Sequence, residues 1–370
     1  MHLLLAPDKF KSCLTAAEVA HAMAAGALRA DPRATIDLCP MADGGEGTVD
    51  ALVAATGGRF LTRRVTGPLP DMKVEARFGL LADEKTAVIE MAAASGLALL
   101  RPQDRDPTRT TTFGTGELMM AAAKIGATRI ILGIGGSATI DGGIGCAQAC
   151  GLPVILEDGQ VPSPGEPLVG ADVGRVVLIK HGRGSPIEKI RIEVACDVAN
   201  PLCGDDGAAA VYGPQKGATP RQVRELDSAL SQLARRNGKL EQANLPGAGA
   251  AGGLGFAMAA FFGAQLKRGV EIVIDAVDLR RRLTGADLCL TGEGRLDRSS
   301  LSGKVVVGVA RACRDAQIPC IALAGSIEPG VDFGFEAIKI GDDTITQEQS
   351  MDQAETLIAA KMADILRNRS

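Results

Sequence analysis

The sequence predicts a two-domain α/β protein, with a doubly wound parallel sheet built from both chain ends and a mixed α/β domain inserted between them. The chain has 370 residues, which exceeds the about 250 to 300 residues at which a single hydrophobic core stops growing. Strand-like and helix-like segments alternate at both ends, whereas closely spaced strand-like runs follow one another in the middle. We therefore place the sheet domain at residues 1–60 plus 280–370 and the inserted domain at residues 61–279.

The two chain ends contain the elements of the doubly wound sheet. Thr15 and Glu18 have the spacing of a capping box, which predicts a helix from there to about Arg29. Ser350 and Gln353 have the same spacing and predict the start of the last helix. Apolar runs predict strands at residues 2–6, 34–40, 286–290, 319–324 and 337–340, with further helices at residues 46–55 and 303–315. Five strands with helical connections are enough for one sheet.

The middle of the chain indicates antiparallel strands. Strand-like runs at residues 60–65, 73–81 and 86–91 are joined by the turn signals GPLPD and LADEK, which are typical of hairpins. Further strands are expected at residues 129–133, 153–157, 175–180 and 191–195. The strand at residues 129–133 could belong to the sheet of either domain.

Composition and charge exclude several classes of protein. Apolar residues make up 46% of the chain, which argues against disorder. The formal net charge is −4, and the scattered lysines and arginines give no footprint for nucleic acid or an anionic membrane. The nine cysteines form no CxxC pair, so we expect reduced thiols in a cytoplasmic protein. The N-terminus does not resemble a signal peptide.

Residues 243–266 form a charge-free stretch that is long enough to span a bilayer. Pro246 and six glycines leave few strongly hydrophobic side chains in this stretch to drive insertion. We therefore expect a buried loop that leads into a helix, and no membrane partner.

Four loops near predicted strand ends contain acidic or hydroxyl residues, and all but the first are rich in glycine. They are residues 6–15, 41–48, 133–145 and 291–304. Glycine allows successive backbone N–H groups to point at one anion, and a helix start adds its positive dipole end, so such loops suit phosphates. Carboxylates in the same loops would repel a phosphate unless a divalent cation lay between them. The combination predicts a magnesium-bound nucleotide.

Two further segments contribute candidate residues. Asp197 follows the predicted strand at 191–195, where it could accept a proton from a substrate hydroxyl or simply cap a turn. Lys216 lies between glycines in YGPQKG. Its side chain could reach a phosphate. The same sequence would also fit a lysine that is solvated at the surface.

Other chemistries fit less well. Residues 133–138 match G-x-G-x-x-A after a predicted strand, and Glu157 with Asp158 ends the next strand, as in dinucleotide-binding proteins. The loop continues through Asp141, which would place a carboxylate near a pyrophosphate, so NAD(P) is less favoured. The three histidines are well separated, which argues against a histidine-rich zinc site or a Ser-His-Asp triad. The sequence has no Walker A motif and no protein-kinase HRD or DFG motif.

Seven motifs follow one another along the chain. In chain order they are APDKFKSCLTA, MADGGEGT, GIGGSATIDGGIG, ACDVANPLCG, GPQKGA, PGAGAAGGLG and TGEGRLD. This series resembles the bacterial class I glycerate kinase family, and the resemblance runs from about residue 3 to residue 325. The resemblance implies ATP- and Mg²⁺-dependent phosphorylation of D-glycerate to 2-phosphoglycerate. It also implies two α/β domains, one of them flavodoxin-like, with the active site in the cleft between them.

Two departures from the family pattern lie beside expected ligand contacts. Ile140 stands where the family usually has asparagine, and Arg298 with Ser299 replaces a more polar stretch. They leave a related small hydroxy acid or sugar acid as an alternative substrate.

In such a kinase, Asp197 would orient and deprotonate the glycerate hydroxyl. Asp8, Asp43 and Glu293 would hold Mg²⁺ directly or through water. The loop at residues 135–143 would bind either the glycerate carboxylate or the nucleotide phosphates.

Positive charge near the transferring phosphoryl group would come from lysines of the same loops. We expect Lys9 to act beside Asp8 in catalysis, together with Lys11 and Lys304. The other candidate contacts to substrate or phosphate are Ser12, Gly44, Gly45, Gly135, Gly136, Ser137, Thr139, Asp141, Asn200, Lys216 and Arg295.

A second hypothesis from another class is a regulatory protein that binds a sugar acid without converting it. The sequence shows no helix-turn-helix segment or basic patch, which argues against direct control of a gene. A homo-oligomer and a monomer are both retained.

Overall fold

The computed structural model describes residues 1–163, 165–180, 182, 184–342 and 345–369. The strands are β1 (His2–Leu5), β2 (Thr35–Leu38), β3 (Arg59–Thr66), β4 (Lys73–Leu80), β5 (Thr86–Glu90), β6 (Arg129–Gly133), β7 (Val154–Leu156), β8 (Val176–Ile179), β9 (Arg191–Ala195), β10 (Gln265–Lys267), β11 (Leu288–Leu296), β12 (Cys320–Ile327) and β13 (Glu336–Lys339). The α-helices are α1 (Ala16–Ala30), α2 (Thr48–Thr56), α3 (Ala92–Ser95), α4 (Phe113–Lys124), α5 (Ile144–Ala149), α6 (Ala208–Tyr212), α7 (Pro220–Arg236), α8 (Leu240–Ala243), α9 (Ala250–Phe261), α10 (Gly269–Ala276), α11 (Leu279–Leu283), α12 (Val305–Asp315), α13 (Gln347–Asp352) and α14 (Ala354–Arg367).

The chain divides into two compact units. The outer unit comprises Met1–Asp43, Asp50–Gly58 and Val270–Ser370. The inserted unit comprises Gly44–Val49 and Arg59–Gly269.

The outer unit contains a five-stranded sheet in the order β13-β12-β11-β1-β2, and all neighbouring strands are parallel. Numbered along the chain and read from the β2 edge, this is the 2-1-3-4-5 order of flavodoxin-like folds. β1 lies inside the sheet, because Leu3 pairs with Ile36 of β2 and with Leu288 of β11. The predicted doubly wound parallel sheet is therefore confirmed.

Helices cover both faces of this sheet. α1 and α14 share one apolar core with β1, β11 and β12, to which Met23 and Met362 contribute. They approach closely at Gly26, where a Cβ would lie 2.2 Å from the carbonyl oxygen of Ala359. Val306 of α12 packs with alternate side chains of β12, which point to the opposite face.

Two capping signals of the outer unit had different outcomes. The Thr15 and Glu18 side chains do form a capping box at the start of α1, as predicted. The predicted cap at Ser350 and Gln353 is wrong, because Ser350 lies inside α13. Thr346 and Gln349, which have the same spacing one turn earlier, form a capping box at the start of α13, and the last helix, α14, begins at Ala354 without a side-chain cap.

The inserted unit contains a six-stranded sheet in the order β10-β9-β6-β5-β4-β3. β3, β4 and β5 pair antiparallel, which confirms the predicted hairpins, whereas β5, β6, β9 and β10 pair parallel. The sequence did not show which sheet β6 joins, and in the structure it belongs to the sheet of the inserted unit. β7 and β8 pair with each other in a separate antiparallel ribbon.

The borders of the two units differ from the predicted ones. The chain changes unit at residues 58/59 and 269/270, not at 60/61 and 279/280, and residues 44–49 group with the inserted unit. α11 groups with the outer unit, where the Arg282 guanidinium donates to Asp37 Oδ1 at 2.7 Å and to the Ala55 carbonyl at 2.5 Å. The charge-rich sequence LRRRL of α11 carries no signal of the unit that it joins.

The charge-free stretch at residues 243–266 contains a loop, exposed at residues 244–246 and buried at residues 247–249, which is followed by the buried helix α9. Ala251, Gly252 and Gly253 have positive φ angles of 54°, 68° and 94°, which interrupt α9. A Cβ on Gly252 would lie 1.9 Å from the carbonyl oxygen of Thr139, so only glycine fits where this stretch crosses the loop at residues 133–145. No helix among the described residues is both long and apolar enough to cross a membrane.

Candidate functional site

Acidic residues of the outer unit come together beyond the end of β1. The backbone N–H of Asp8 donates to the Gly292 carbonyl at 2.8 Å, so the chain after β1 continues beside β11, which carries Glu293. The side chains of Asp8 and Glu293 are buried, with 8% and 6% of their surface exposed. Asp43 is near enough to raise the pKa of both carboxyls. The three predicted metal ligands therefore lie near enough to influence one another through their charges, and we call them the carboxylate cluster.

Burial and mutual repulsion disfavour the charged forms of these carboxyls. The pKa of Asp8 is raised to about 7, chiefly by burial and next by the charge of Asp43. The backbone N–H of Lys9 donates to Asp8 Oδ1 at 2.7 Å and opposes this rise. Burial also raises the pKa of Glu293, while a hydrogen bond from Ser300 lowers it. Glu293 Oε1 is buried and accepts no hydrogen bond from any described residue. Such an oxygen is unfavourable unless a cation lies beside it, and carboxylate oxygens are the ligands that Mg²⁺ prefers. The donor set therefore fits a divalent cation.

Two predicted basic residues lie near this cluster. Lys304 Nζ lies 3.7 Å from Asp297 Oδ1 and 3.5 Å from Ser300 Oγ, and its charge lowers the pKa of Glu293. Arg295 Nε lies 3.3 Å from Asp297 Oδ2, and the Arg295 side chain is mostly exposed. Asp297 therefore holds both cations beside the end of β11, which carries Glu293.

Lys9, Lys11 and Ser12 lie in a tight turn after β1. Reciprocal backbone hydrogen bonds between Phe10 and Leu14 close this turn. Lys11 and Ser12 are exposed, and Lys9 is half-buried. Ser12 has a φ of 63°, which residues other than glycine adopt only rarely and which occurs often at binding sites.

The inserted unit contains the loop between β6 and α5, and Asp141 organises it from beneath. Asp141 is fully buried. Its Oδ2 accepts from the Thr112 backbone N–H at 2.8 Å and from the Thr112 hydroxyl at 2.7 Å, and its Oδ1 accepts from the Gly143 N–H at 3.0 Å. Burial raises the pKa of Asp141, and these hydrogen bonds oppose the rise. Both oxygens are engaged within the protein, so Asp141 shapes the loop.

Lys216 lies under the same loop. Its side chain is only 2% exposed, and Nζ donates to Ser137 Oγ at 2.7 Å and to the Thr139 carbonyl at 2.8 Å. Burial lowers the pKa of Lys216 to about 7, although the charge of Asp141 raises it. Gly135 and Gly136 are exposed, so the outer surface of the loop is backbone and Lys216 acts from its inner side.

Three loops of the inserted unit meet at the carboxyl edge of its sheet. Gly133 at the end of β6 pairs with Ala195 at the end of β9, so the loops that follow them emerge side by side. Gly44 joins them, because its Cβ would lie 2.4 Å from the Ala195 side chain, while a Cβ on Gly133 would lie 2.6 Å from the Gly44 carbonyl. Asp197 is exposed two residues beyond β9, and its Oδ1 accepts from the Gly269 N–H at 3.0 Å. Gly45 is the next residue after Gly44 and is half-buried.

Asn200 holds the loop that carries Asp197. Its amide donates to the Asp206 carbonyl at 2.8 Å, and its Oδ1 accepts from the Tyr212 hydroxyl at 2.6 Å. Sequence reasoning missed Tyr212, as well as Thr112 and Ser300. Their partners lie on other elements, so no local spacing could have identified them.

Two points left open by the sequence concern the position of single residues. Ile140 is fully buried in the core of the inserted unit, so its side chain does not lie on the exposed surface of the loop at residues 133–145. Glu157 and Asp158 follow β7, which pairs with β8 and not with β6. The parallel β-α-β unit of a dinucleotide-binding site is therefore not formed by β6 and β7.

A cavity of about 480 Å³ lies elsewhere in the inserted unit. It is lined by Asp71, Gln160, Glu166, Asp172, Arg175 and neighbouring apolar residues. None of the predicted site residues lines it, so its size alone does not make it the functional site.

Comparison with known proteins agrees with this chemistry. Residues 3–370 match the family described as the glycerate kinase family. The chain is 47% identical over 340 residues to glycerate kinase from Haemophilus influenzae, with 91% of this chain and 89% of the relative covered. It is 46% identical over 338 residues to glycerate 2-kinase from Escherichia coli, with 90% and 87% covered. The crystal structure of a glycerate kinase 2 candidate from Salmonella typhimurium LT2 has a TM-score of 0.87 at 44% identity, with 99% and 97% of the two chains covered. The chain therefore belongs to the glycerate kinase family.

Proposed function

We propose that this protein transfers the γ-phosphoryl group of ATP to the 2-hydroxyl of D-glycerate and releases ADP and 2-phosphoglycerate. The observation that carries the proposal is the buried, unpartnered Oε1 of Glu293 beside Asp8, in a chain of the glycerate kinase family. A carboxylate cluster of this kind is suited to a cation that accompanies a triphosphate.

Asp8, Asp43 and Glu293 would hold Mg²⁺ in the outer unit. Their burial and the raised pKa values of Asp8 and Glu293 support this role, because a cation would favour the charged forms of both carboxyls. Bound Mg²⁺ would neutralise negative charge on the phosphates of ATP. Lys9, Lys11, Arg295 and Lys304 would add further positive charge near the transferring group.

Asp197 would accept the proton in the inserted unit. As the glycerate hydroxyl oxygen forms its bond to the γ-phosphorus, the bond from that phosphorus to the bridging oxygen of ADP breaks, and the hydroxyl proton passes to the Asp197 carboxylate. Its exposed position beyond β9 and the hydrogen bond from Gly269 support this role, because the backbone donor fixes the carboxylate while leaving it near solvent.

The exposed backbone of Gly135 and Gly136 would bind an anionic group, either the glycerate carboxylate or the nucleotide phosphates. Lys216 would act as a positioning residue, because it fixes the Ser137 hydroxyl and the Thr139 carbonyl from below. Asp141 would do the same through its hydrogen bonds to Thr112 and Gly143. The structure supports positioning for both residues more than the direct ligand contact expected from sequence.

We further infer a cytoplasmic location and retain a homo-oligomer as an alternative to a monomer. All nine cysteines are free, which fits a reducing compartment.

Product analysis tests the proposal directly. Purified protein with Mg²⁺ and ATP would be supplied in turn with D-glycerate, L-glycerate, tartronate and longer sugar acids, and the products identified by phosphorus NMR. We expect ADP and 2-phosphoglycerate from D-glycerate, and no product after Mg²⁺ is chelated. Binding of D-glycerate without ADP formation would favour the regulatory alternative. A faster reaction with another acid would show that this acid, and not D-glycerate, is the preferred substrate.

A further inference from the structure

Three cysteines from different elements of the outer unit meet on the side of the sheet covered by α12. Cys289 of β11 pairs in parallel register with Cys320 of β12, and Cys313 lies in the last turn of α12. The three Sγ atoms all lie within 4.8 Å of one another. We propose that this cluster binds one soft, thiophilic metal ion of the Cu⁺ type.

The ligand set determines the class of ion. All three ligand atoms are sulfur, and no histidine or carboxylate among the described residues joins the group. Thiolates select soft ions such as Cu⁺ over Mg²⁺ and Ca²⁺, which prefer oxygen. Structural zinc sites almost always use four protein ligands, whereas three sulfurs satisfy a three-coordinate Cu⁺ ion.

The arrangement also provides an approach from solvent. The thiolate is the form that binds metals, and a thiol releases its proton when the metal binds. Cys289 and Cys313 are fully buried, whereas Cys320 is partly exposed and offers the route of entry.

Burial of cysteine as a small apolar residue is the ordinary alternative. Cys39 fits that description. It is buried, and its Sγ atom lies 3.9 Å from the thioether sulfur of Met41. The cluster differs from it because three sulfurs converge from two strands and one helix.

The cysteine cluster is separate from the proposed Mg²⁺ site. Cys289 and Glu293 lie four residues apart on β11, which corresponds to about 13 Å along a strand. A bound soft ion would connect β11, β12 and α12 without entering the carboxylate cluster. The inference therefore goes beyond the proposed function and does not depend on it.

Metal competition tests the site with the full-length, reduced protein. Cu⁺ would be supplied under anaerobic conditions with a chromophoric Cu⁺ chelator, and binding read from the loss of the chelator complex. We expect one Cu⁺ per chain, and a loss of affinity of at least about tenfold in Cys320→Ser, since even removing an outer partner of a metal ligand costs about 10- to 100-fold. Cys203→Ser, in the inserted unit and outside the cluster, is the matched control and should bind as the wild type does.

A stability measurement guards against a variant that merely fails to fold. Cys320 is the most exposed of the three, so its replacement should disturb the core least. We expect Cu⁺ to raise the melting temperature of the wild type and of Cys203→Ser, but not that of Cys320→Ser, whose metal-free circular dichroism spectrum should match the wild type. Wild-type protein that does not compete for Cu⁺, or a folded Cys320→Ser that competes as well as the wild type, would overturn the proposal.

Discussion

Replacing Lys216 with methionine is expected to stabilise the protein at neutral pH while impairing its reaction. Burial lowers the pKa of Lys216 from 10.5 to about 7. A pKa difference of one corresponds to about 1.4 kcal/mol, and the difference here is about 3.5. Keeping this lysine charged in the folded state therefore costs about 5 kcal/mol. Methionine removes that cost but leaves the Thr139 carbonyl without its donor, which costs about 1–3 kcal/mol. We therefore expect a net gain of about 2–4 kcal/mol in the free energy of unfolding.

The gain should depend on pH in a defined direction. Between pH 7 and pH 10.5 the Lys216 side chain is protonated in the unfolded chain but largely neutral in the folded protein. The unfolded state then binds more protons, so the stability of the wild type rises with pH across this window. Below pH 7 the side chain is charged in both states, so the advantage of Lys216→Met is largest there and constant.

Chemical denaturation at pH 6 and pH 9.5, together with kcat at pH 7.5, provides the assay. Lys216→Met should be more stable than the wild type at pH 6 and lose most of that advantage by pH 9.5. Its kcat should fall by up to about 10²-fold, because the Ser137 hydroxyl loses the group that fixes it. Lys124→Met, which changes an exposed lysine at the end of α4, is the control. A variant that is less stable than the wild type at pH 6, or whose advantage does not change with pH, would refute this reasoning.

Three further predictions concern the carboxylates. Asp197→Asn should reduce kcat by about 10²-fold or more in a steady-state assay, because an amide cannot accept the hydroxyl proton; an unchanged kcat would remove Asp197 from the mechanism. Glu293→Gln should raise the Mg²⁺ concentration needed for half-maximal activity, since a carboxylate ligand is lost; the same Mg²⁺ dependence as in the wild type would contradict the proposed site. Asp141→Asn should lower the free energy of unfolding by about 1–3 kcal/mol in urea titrations, because an amide nitrogen in place of one carboxylate oxygen leaves a buried donor of Thr112 or Gly143 without an acceptor; equal stability would show that these hydrogen bonds do not hold the loop.

Local spacing predicted much of the fold but could not choose between equivalent signals. The capping box at Thr15 and Glu18 was confirmed because no competing signal lies next to it. Ser350 and Gln353 have the same spacing, but Thr346 and Gln349 offer the signal one turn earlier and cap α13, whereas the last helix, α14, has no side-chain cap. The observed border at residue 269 differs from the predicted one because α10 and the start of α11 lie between them, and the sequences of these two helices do not show which unit they join.

The site shows the same division between local and tertiary information. Asp8 and Asp197 could be proposed as site residues because each follows a buried strand, and active-site residues of α/β proteins concentrate at the carboxyl ends of strands. For Lys216 the sequence leaves a phosphate contact and a solvated surface side chain as alternatives. Its burial depends on Ser137 and Thr139, which lie far away in the sequence. Side chains that act through a tertiary partner leave no such signal.

The position of β1 between β2 and β11 has a consequence for how the protein is made. During synthesis β1 leaves the ribosome before its neighbour β11, which follows only after residues Arg59–Gly269 of the inserted unit. At about 5–20 residues per second, synthesis of Arg59–Gly269 alone takes roughly 10 to 40 s. The inserted unit can complete its own core during this time, while one edge of the nascent β1 remains unpaired and open to chaperones.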